Sequence, residues 1–296
     1  MKKLVYLAAI LFVGCNSKTE TNQANLSQQL DSISPKSFKN HNVMVGGILQ
    51  SIPSPIETSS LIKNEGGLYD NSILNRKLDE HKYPSNFEKA LVLGIYGTDL
   101  GYVNIYNQNQ DALSYLDPIH ALAEELKIEQ FFDYDTFKRL ASKSENVDSL
   151  LFLTVSNYEK MNTYLQQQKR EEHSALILTG GWLEALYISC KVAETNKSKL
   201  LEEKIGEQKI VLDQILVLLA QHEQDNNVSQ LTKKLATLKL VFNEVQYEQT
   251  FHASNKNEEN GVYLVKGQSE SKITISADQI EKIGEITKSI RDGILI

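Results

Sequence analysis

Cysteine is nearly missing from this 296-residue chain, which has only Cys15 and Cys190. With so few, a folded domain here must rest on its hydrophobic core rather than on disulfide staples. No CxxC, CxxCH or HExxH occurs, so thiolate zinc sites, covalent c-type haem and the helical zinc-hydrolase pattern are excluded. GxSxG, a GxGxxG after a strand and a Gly-rich loop ending in Lys-Ser/Thr are absent too. Ser60/Lys63 and Ser269/Lys272 fit Ser-x-x-Lys but lack the Lys-Thr-Gly that penicillin-recognising enzymes add, and such matches arise by chance in a Ser- and Lys-rich chain. Positive charge is also short, with 31 Lys+Arg against 38 Asp+Glu and no basic cluster. A nucleic-acid partner is therefore not expected.

What is present begins at the N-terminus. Lys2 and Lys3 precede ten apolar residues, Leu4 to Val13, and then Gly14 and Cys15. Charged, apolar, small is the order of a secretory signal, and ten residues is about half of what a membrane span needs. The stretch Phe12-Val13-Gly14-Cys15 resembles the lipobox of bacterial lipoproteins, with Phe12 where Leu is usual. That resemblance implies cleavage before Cys15 and acylation of its sulfur and amino group, and several acyl chains hold a protein stably where one does not. Asn16 stands where an Asp would resemble an inner-membrane retention signal, so the outer membrane is expected, on its periplasmic side or at the cell surface. The expected organisation is a signal peptide over 1–14, a lipidated tether over 15–42 rich in Asn, Ser, Gln and Lys, and one domain over 43–296. Without Lys2 and Lys3 the chain carries 29 basic and 38 acidic residues, a formal charge of −9. That speaks for solubility rather than for a particular activity.

The domain reads as mainly α, an up-down helical bundle with a small C-terminal β-hairpin and a final helix. Ser54-Pro55 starts a helix that Gly66-Gly67 stops, and Ser85-Asn86-Phe87-Glu88 is a capping box opening a helix to about Tyr106. Asp117-Pro118 is expected to open or kink a helix through Lys127, and a shorter one spans about 135–143. Four long helical patterns follow at about 147–170, 174–194, 198–223 and 228–248. The segment HASNKNEENG reads as a polar loop, Val262–Val265 and Lys272–Ile275 as a hairpin around GQSES, and Ser276-Ala277-Asp278-Gln279 as a second capping box. The run at 210–220 is apolar but broken by Asp213-Gln214, as befits a core helix.

Two helices stand out. In residues 91–106, Ala90, Gly94, Gly97 and Gly101 share one stripe, and each helical glycine costs about 1 kcal/mol relative to alanine. Close helix packing, or room for a ligand, would compensate. Asp99 lies among Val92, Ile95, Tyr102, Val103 and Tyr106 at helical spacing, so it is expected to be shielded from water and partnered by a Tyr hydroxyl, a Lys or a backbone amide. In residues 176–189, Glu184 shares a face with His173, Gly180 and Lys191, a face expected to be solvated. If the glycine-bearing helices pack together, Asp99 and Glu184 meet in one cleft, with Tyr96, Tyr102 and Trp182 as further candidate ligand contacts. These stretches resemble uncharacterised helical lipoproteins of Bacteroidota; the resemblance implies location and fold and carries no activity.

No cofactor is expected, and no metal beyond two weak candidates, His120 with Glu124 one turn on and the run Glu171-Glu172-His173. The leading expectation is a non-enzymatic, membrane-anchored binding or accessory module for another envelope protein, acting through its acidic helical surface. The alternative is a small-ligand binder with its pocket between the helices around 91–106 and 176–189. The third is a hydrolase using Asp99 and Glu184 as paired carboxylates about 5–10 Å apart. Oligomeric state is not readable.

Overall fold

The computed structural model describes residues 55–75, 82–132, 134–136, 147–251, 255–259, 262–266 and 269–295. The signal peptide, the tether, Cys15 and most of the helix expected at 135–143 lie outside the described residues. The described residues are mainly α. In chain order they form α1 (Pro55–Asn64), α2 (Asn86–Ile105), α3 (Asn109–Glu125), α4 (Val147–Gln167), α5 (Glu171–Thr195), α6 (Lys199–Ala220), α7 (Asn226–Asn243) and α8 (Ala277–Leu295). Between α7 and α8 lie β1 (Gln246–Phe251), β2 (Asn255–Glu259), β3 (Val262–Lys266) and β4 (Ser269–Thr274).

The caps explain the starts. The Ser85 hydroxyl accepts from the Glu88 amide at 3.1 Å while the Ser85 amide donates to the Glu88 carboxylate at 3.0 Å, closing the capping box that opens α2. Ser276 and Gln279 repeat the arrangement for α8, and Ser198 and Asp225 cap α6 and α7 through their side chains. The reading of Asp117-Pro118 as a possible helix start is corrected: α3 begins at Asn109 and carries Pro118 in its interior. Burial explains this. Ala112, Tyr115, Leu116, Ile119, Leu122 and Ala123 form one apolar stripe that runs through the proline, and burying it outweighs the roughly 3 kcal/mol a mid-helix proline costs.

Helices α2 and α5 form the centre. Helices α1 and α3 pack on α2, α4, α6 and α8 pack on α5, and α7 rests on α6 and α8. Helix α5 is long and apolar enough to cross a membrane, yet 89% of its most apolar stretch is buried inside the bundle, as a core helix requires. At the crossing, α2 and α5 touch backbone to backbone. A Cβ on Gly94 would lie 2.0 Å from the Ile177 carbonyl oxygen, and one on Gly180 would lie 2.0 Å from that of Leu91. Thr98 pins the contact, its hydroxyl lying 3.0 Å from the Gly94 carbonyl and 3.1 Å from that of Gly181. Gly97 takes no part, since a Cβ there would meet open space.

Strands β3 and β4 appear where expected, but β1 overlaps the end of the helical pattern expected at 228–248, β2 falls in the run HASNKNEENG expected as a polar loop, and the pairing differs. β3 pairs with β2 and β4 with β1, both antiparallel, so Val262–Val265 and Lys272–Ile275 are not partners. Ile273 of β4 docks against Gly206 of α6, where a Cβ would come within 2.5 Å of the Ile273 side chain. Gly284 of α8 sits over Cys190 of α5, whose Cβ would lie 3.1 Å from an added methyl. The Cys190 thiol is buried, and burial pushes its ionisation well above the usual thiol range.

Candidate functional site

The close approach of α2 and α5 brings Asp99 and Glu184 together in the interior, both with no exposed surface. The solvated face expected for Glu184 is corrected, because α8 lies over it and lowers Arg291 onto the carboxylate. Arg291 binds it as a fork: Nε donates to Oε2 and Nη2 donates to Oε1, the latter at 2.8 Å. Nη2 also lies 3.5 Å from the Ile73 carbonyl, and the guanidinium carbon sits 4.6 Å from the Tyr187 ring centre. Burial disfavours the Arg291 charge, but Glu184 more than offsets it and holds the group above its ordinary range.

Asp99 is satisfied on one side only. Its Oδ2 accepts from the Asn75 amide at 3.1 Å, one of the partner types expected for it, while Oδ1 meets no donor among the described residues. The neighbour within hydrogen-bonding reach is the Glu184 carboxyl, itself an acceptor. Two facing acceptors need a proton between them, and desolvation followed by the Glu184 charge raises the Asp99 acid well above the usual carboxylate range. Asp99 is therefore the protonated member, Oδ1–H donates to Glu184, and the trio of neutral Asp99, anionic Glu184 and cationic Arg291 carries no net charge. Tyr115 of α3 closes the far side by donating to the Asn75 carbonyl at 2.8 Å.

A stability test follows. An acid raised on folding stabilises the folded chain fully below the unfolded pKa of about 4, and that contribution is lost as pH rises toward the folded value. Asp99→Asn mimics the protonated form, with its amide donating to Glu184 and its oxygen accepting from Asn75. Urea unfolding from pH 5 to 9 should show D99N more stable than the parent chain at neutral pH, with a flatter slope; an unchanged slope would remove the shared proton.

The remaining candidates do not converge on this trio. Tyr96 is buried, its hydroxyl 3.3 Å from that of Tyr83, and its ring lies edge-on to that of Tyr115. Tyr102 points to the 68–70 loop, donating to the Leu68 carbonyl and accepting from the Asp70 amide, and stacks on Tyr69. Trp182 faces α6, where its Nε1 donates to Gln208 at 3.0 Å. His120 lies edge-on to Tyr134 and Glu124 is exposed; no group of three or more metal-ligating side chains occurs among the described residues. Arg291 is the residue missed, although it falls on the buried stripe of α8 with Ile280, Ile283, Thr287 and Ile290, and a cation on an apolar stripe is itself a signal.

A second ionisable group stands at the start of α5. Both ring nitrogens of His173 are buried and meet no partner among the described residues. Burial, then Arg170 and His222, lower its pKa to about 4. For a cation depressed on folding, stability is present above the unfolded value near 6.5 and is lost as pH falls toward 4. Melting temperatures measured between pH 7 and 4 should therefore drop less for His173→Gln than for the parent chain.

The class these features define is a mainly α bundle with a charge-neutral ionic centre. Compared with protein families, curated proteins and solved structures, the chain matches none.

Proposed function

We propose that the chain is a lipid-anchored extracytoplasmic protein of the outer membrane that acts as a binding or accessory module for another envelope protein, without chemistry of its own. The observation that carries this reading is the sealing of the ionic centre. Asp99, Glu184 and Arg291 satisfy one another at 0–6% exposure, so their interactions hold α2, α5 and α8 together rather than meet a substrate. Their carboxyls are within hydrogen-bonding reach, which does not suit hydrolysis by carboxylates set about 5–10 Å apart in an open cleft. Large apolar side chains stay outside instead. Ile210 and Val217 of α6, two turns apart, are 44% and 47% exposed, and Leu240 of α7 is 67% exposed. The Lys239–Asp213 ion pair at 2.6 Å ties these two helices together. The lipobox-like segment ending at Cys15 supports the anchor.

Two measurements test the reading. Metabolic labelling with a palmitate analogue should mark the parent chain and not Cys15→Ser. A photo-crosslinking residue at Val217 or Leu240, in the native envelope, should capture one discrete protein that the same residue at Leu68, 84% exposed elsewhere, does not. No product, or the same products from all three positions, would sink the partner reading.

A further inference from the structure

The Arg291 guanidinium is held as proteins hold a bound guanidinium ligand. It has a carboxylate fork on one edge, an aromatic face at 4.6 Å, a carbonyl within reach and a second carboxyl, Asp99, behind the first. Fork and ring together select a flat, delocalised cation over a compact ammonium. The walls of this site come from α2, α5 and the 73–75 segment, whereas its occupant comes from α8, 107 residues from Glu184 in sequence. Asp99 is fully buried, and no hydrogen bond from the Arg291 guanidinium reaches its carboxyl, so the occupant leaves that wall of the site uncontacted.

The occupant also sits where a helix is easiest to open. Arg291 lies just before the last turn of α8, four residues from its end at Leu295 and next but one to Gly293, a residue that weakens a helix by about 1 kcal/mol relative to alanine. Its side chain is 8% exposed, and Nη1 already turns toward Asp292 at 3.3 Å near the surface. An exposed bond from the Lys82 ammonium to the Leu295 carbonyl, 2.7 Å, ties the turn down. Terminal turns unwind at far lower cost than whole helices.

We propose that Glu184, Asp99 and Tyr187 form a binding site for one small guanidinium cation, that Arg291 fills it in cis, and that unwinding the end of α8 back through Arg291 opens it to a guanidino compound from outside. The exchange moves no electrons and breaks no covalent bond: one guanidinium leaves as another enters, and the proton stays between Asp99 and Glu184.

The test uses the mature chain and methylguanidinium chloride as probe, with methylammonium chloride and KCl at matched ionic strength. Arg291→Ala should melt lower than the parent chain, and millimolar methylguanidinium should restore at least half of the lost melting temperature, saturably and at one equivalent by calorimetry. Methylammonium and KCl should not, and the double variant Arg291→Ala/Glu184→Gln should not respond to any of the three. In the parent chain, the probe should speed hydrogen exchange of the 291–295 amides without raising the melting temperature. If Arg291→Ala does not fold unaided, its refolding yield in methylguanidinium against KCl, read by far-UV circular dichroism, answers the same question. Equal responses to methylguanidinium and KCl would overturn the site, and unchanged exchange in the parent chain would overturn its opening.

Discussion

Arg291→Ala is expected to destabilise the fold by about 3–5 kcal/mol, because it strands the Glu184 carboxylate in the interior without a counter-charge. Domains of this kind are stable by only about 5–15 kcal/mol, so the loss is a large share of the total and should lower the melting temperature by on the order of 10 °C. The energy belongs to the unpaired charge rather than to the pair. Replacing both members together, Arg291→Met with Glu184→Met, should therefore recover most of the loss, since apolar replacement of a buried pair is often neutral or favourable. Chemical denaturation of the two variants decides it. If the single variant costs less than about 1 kcal/mol, water reaches Glu184 and the centre is not sealed.

Gly180→Ala should be the other severe change, although alanine is the better helix former by about 1 kcal/mol. Its methyl would fall 2.0 Å from the Leu91 carbonyl oxygen and 3.0 Å from the Leu91 Cα, both parts of a helix backbone that cannot rotate aside. The helices must then separate, and overpacking of this kind costs about 1–3 kcal/mol and at times more. Separation at Gly180 also draws Glu184, one turn on, away from Asp99. Gly94→Ala meets Ile177 and Gly181 in the same way. Gly97→Ala is the control, since its methyl meets nothing within 4 Å and should stabilise by up to about 1 kcal/mol. Thermal unfolding of the three variants side by side tests this, and equal effects would mean that the helices are not in backbone contact.

Much of this was legible. Helix starts were, because Ser85, Ser198 and Ser276 are local signals that work within one turn. The small-residue stripe and the shielded Asp99 were also legible, and they pointed to the correct pair of helices. What escaped depends on parts of the chain far apart. The solvated look of the Glu184 face comes from its neighbours on α5, and only the arrival of α8 turns that face inward. The start of α3 was misread because the penalty of Pro118 is local while the burial that offsets it is tertiary. Helices α2, α3 and α4 end on Asn107, Lys127 and Lys169 in the left-handed region, where glycine would have marked the stops.

The placement of Cys190 beneath Gly284 turns a silent thiol into a clock. It is the sole cysteine among the described residues, it cannot ionise while α8 covers it, and a thiol that stays protonated neither attacks disulfides nor alkylates. A maleimide added to the folded chain thus reacts at Cys190 only at the rate at which α8 lifts from α5. Departure of the whole helix can then be timed separately from the unwinding of its end back through Arg291, which leaves Gly284 in place.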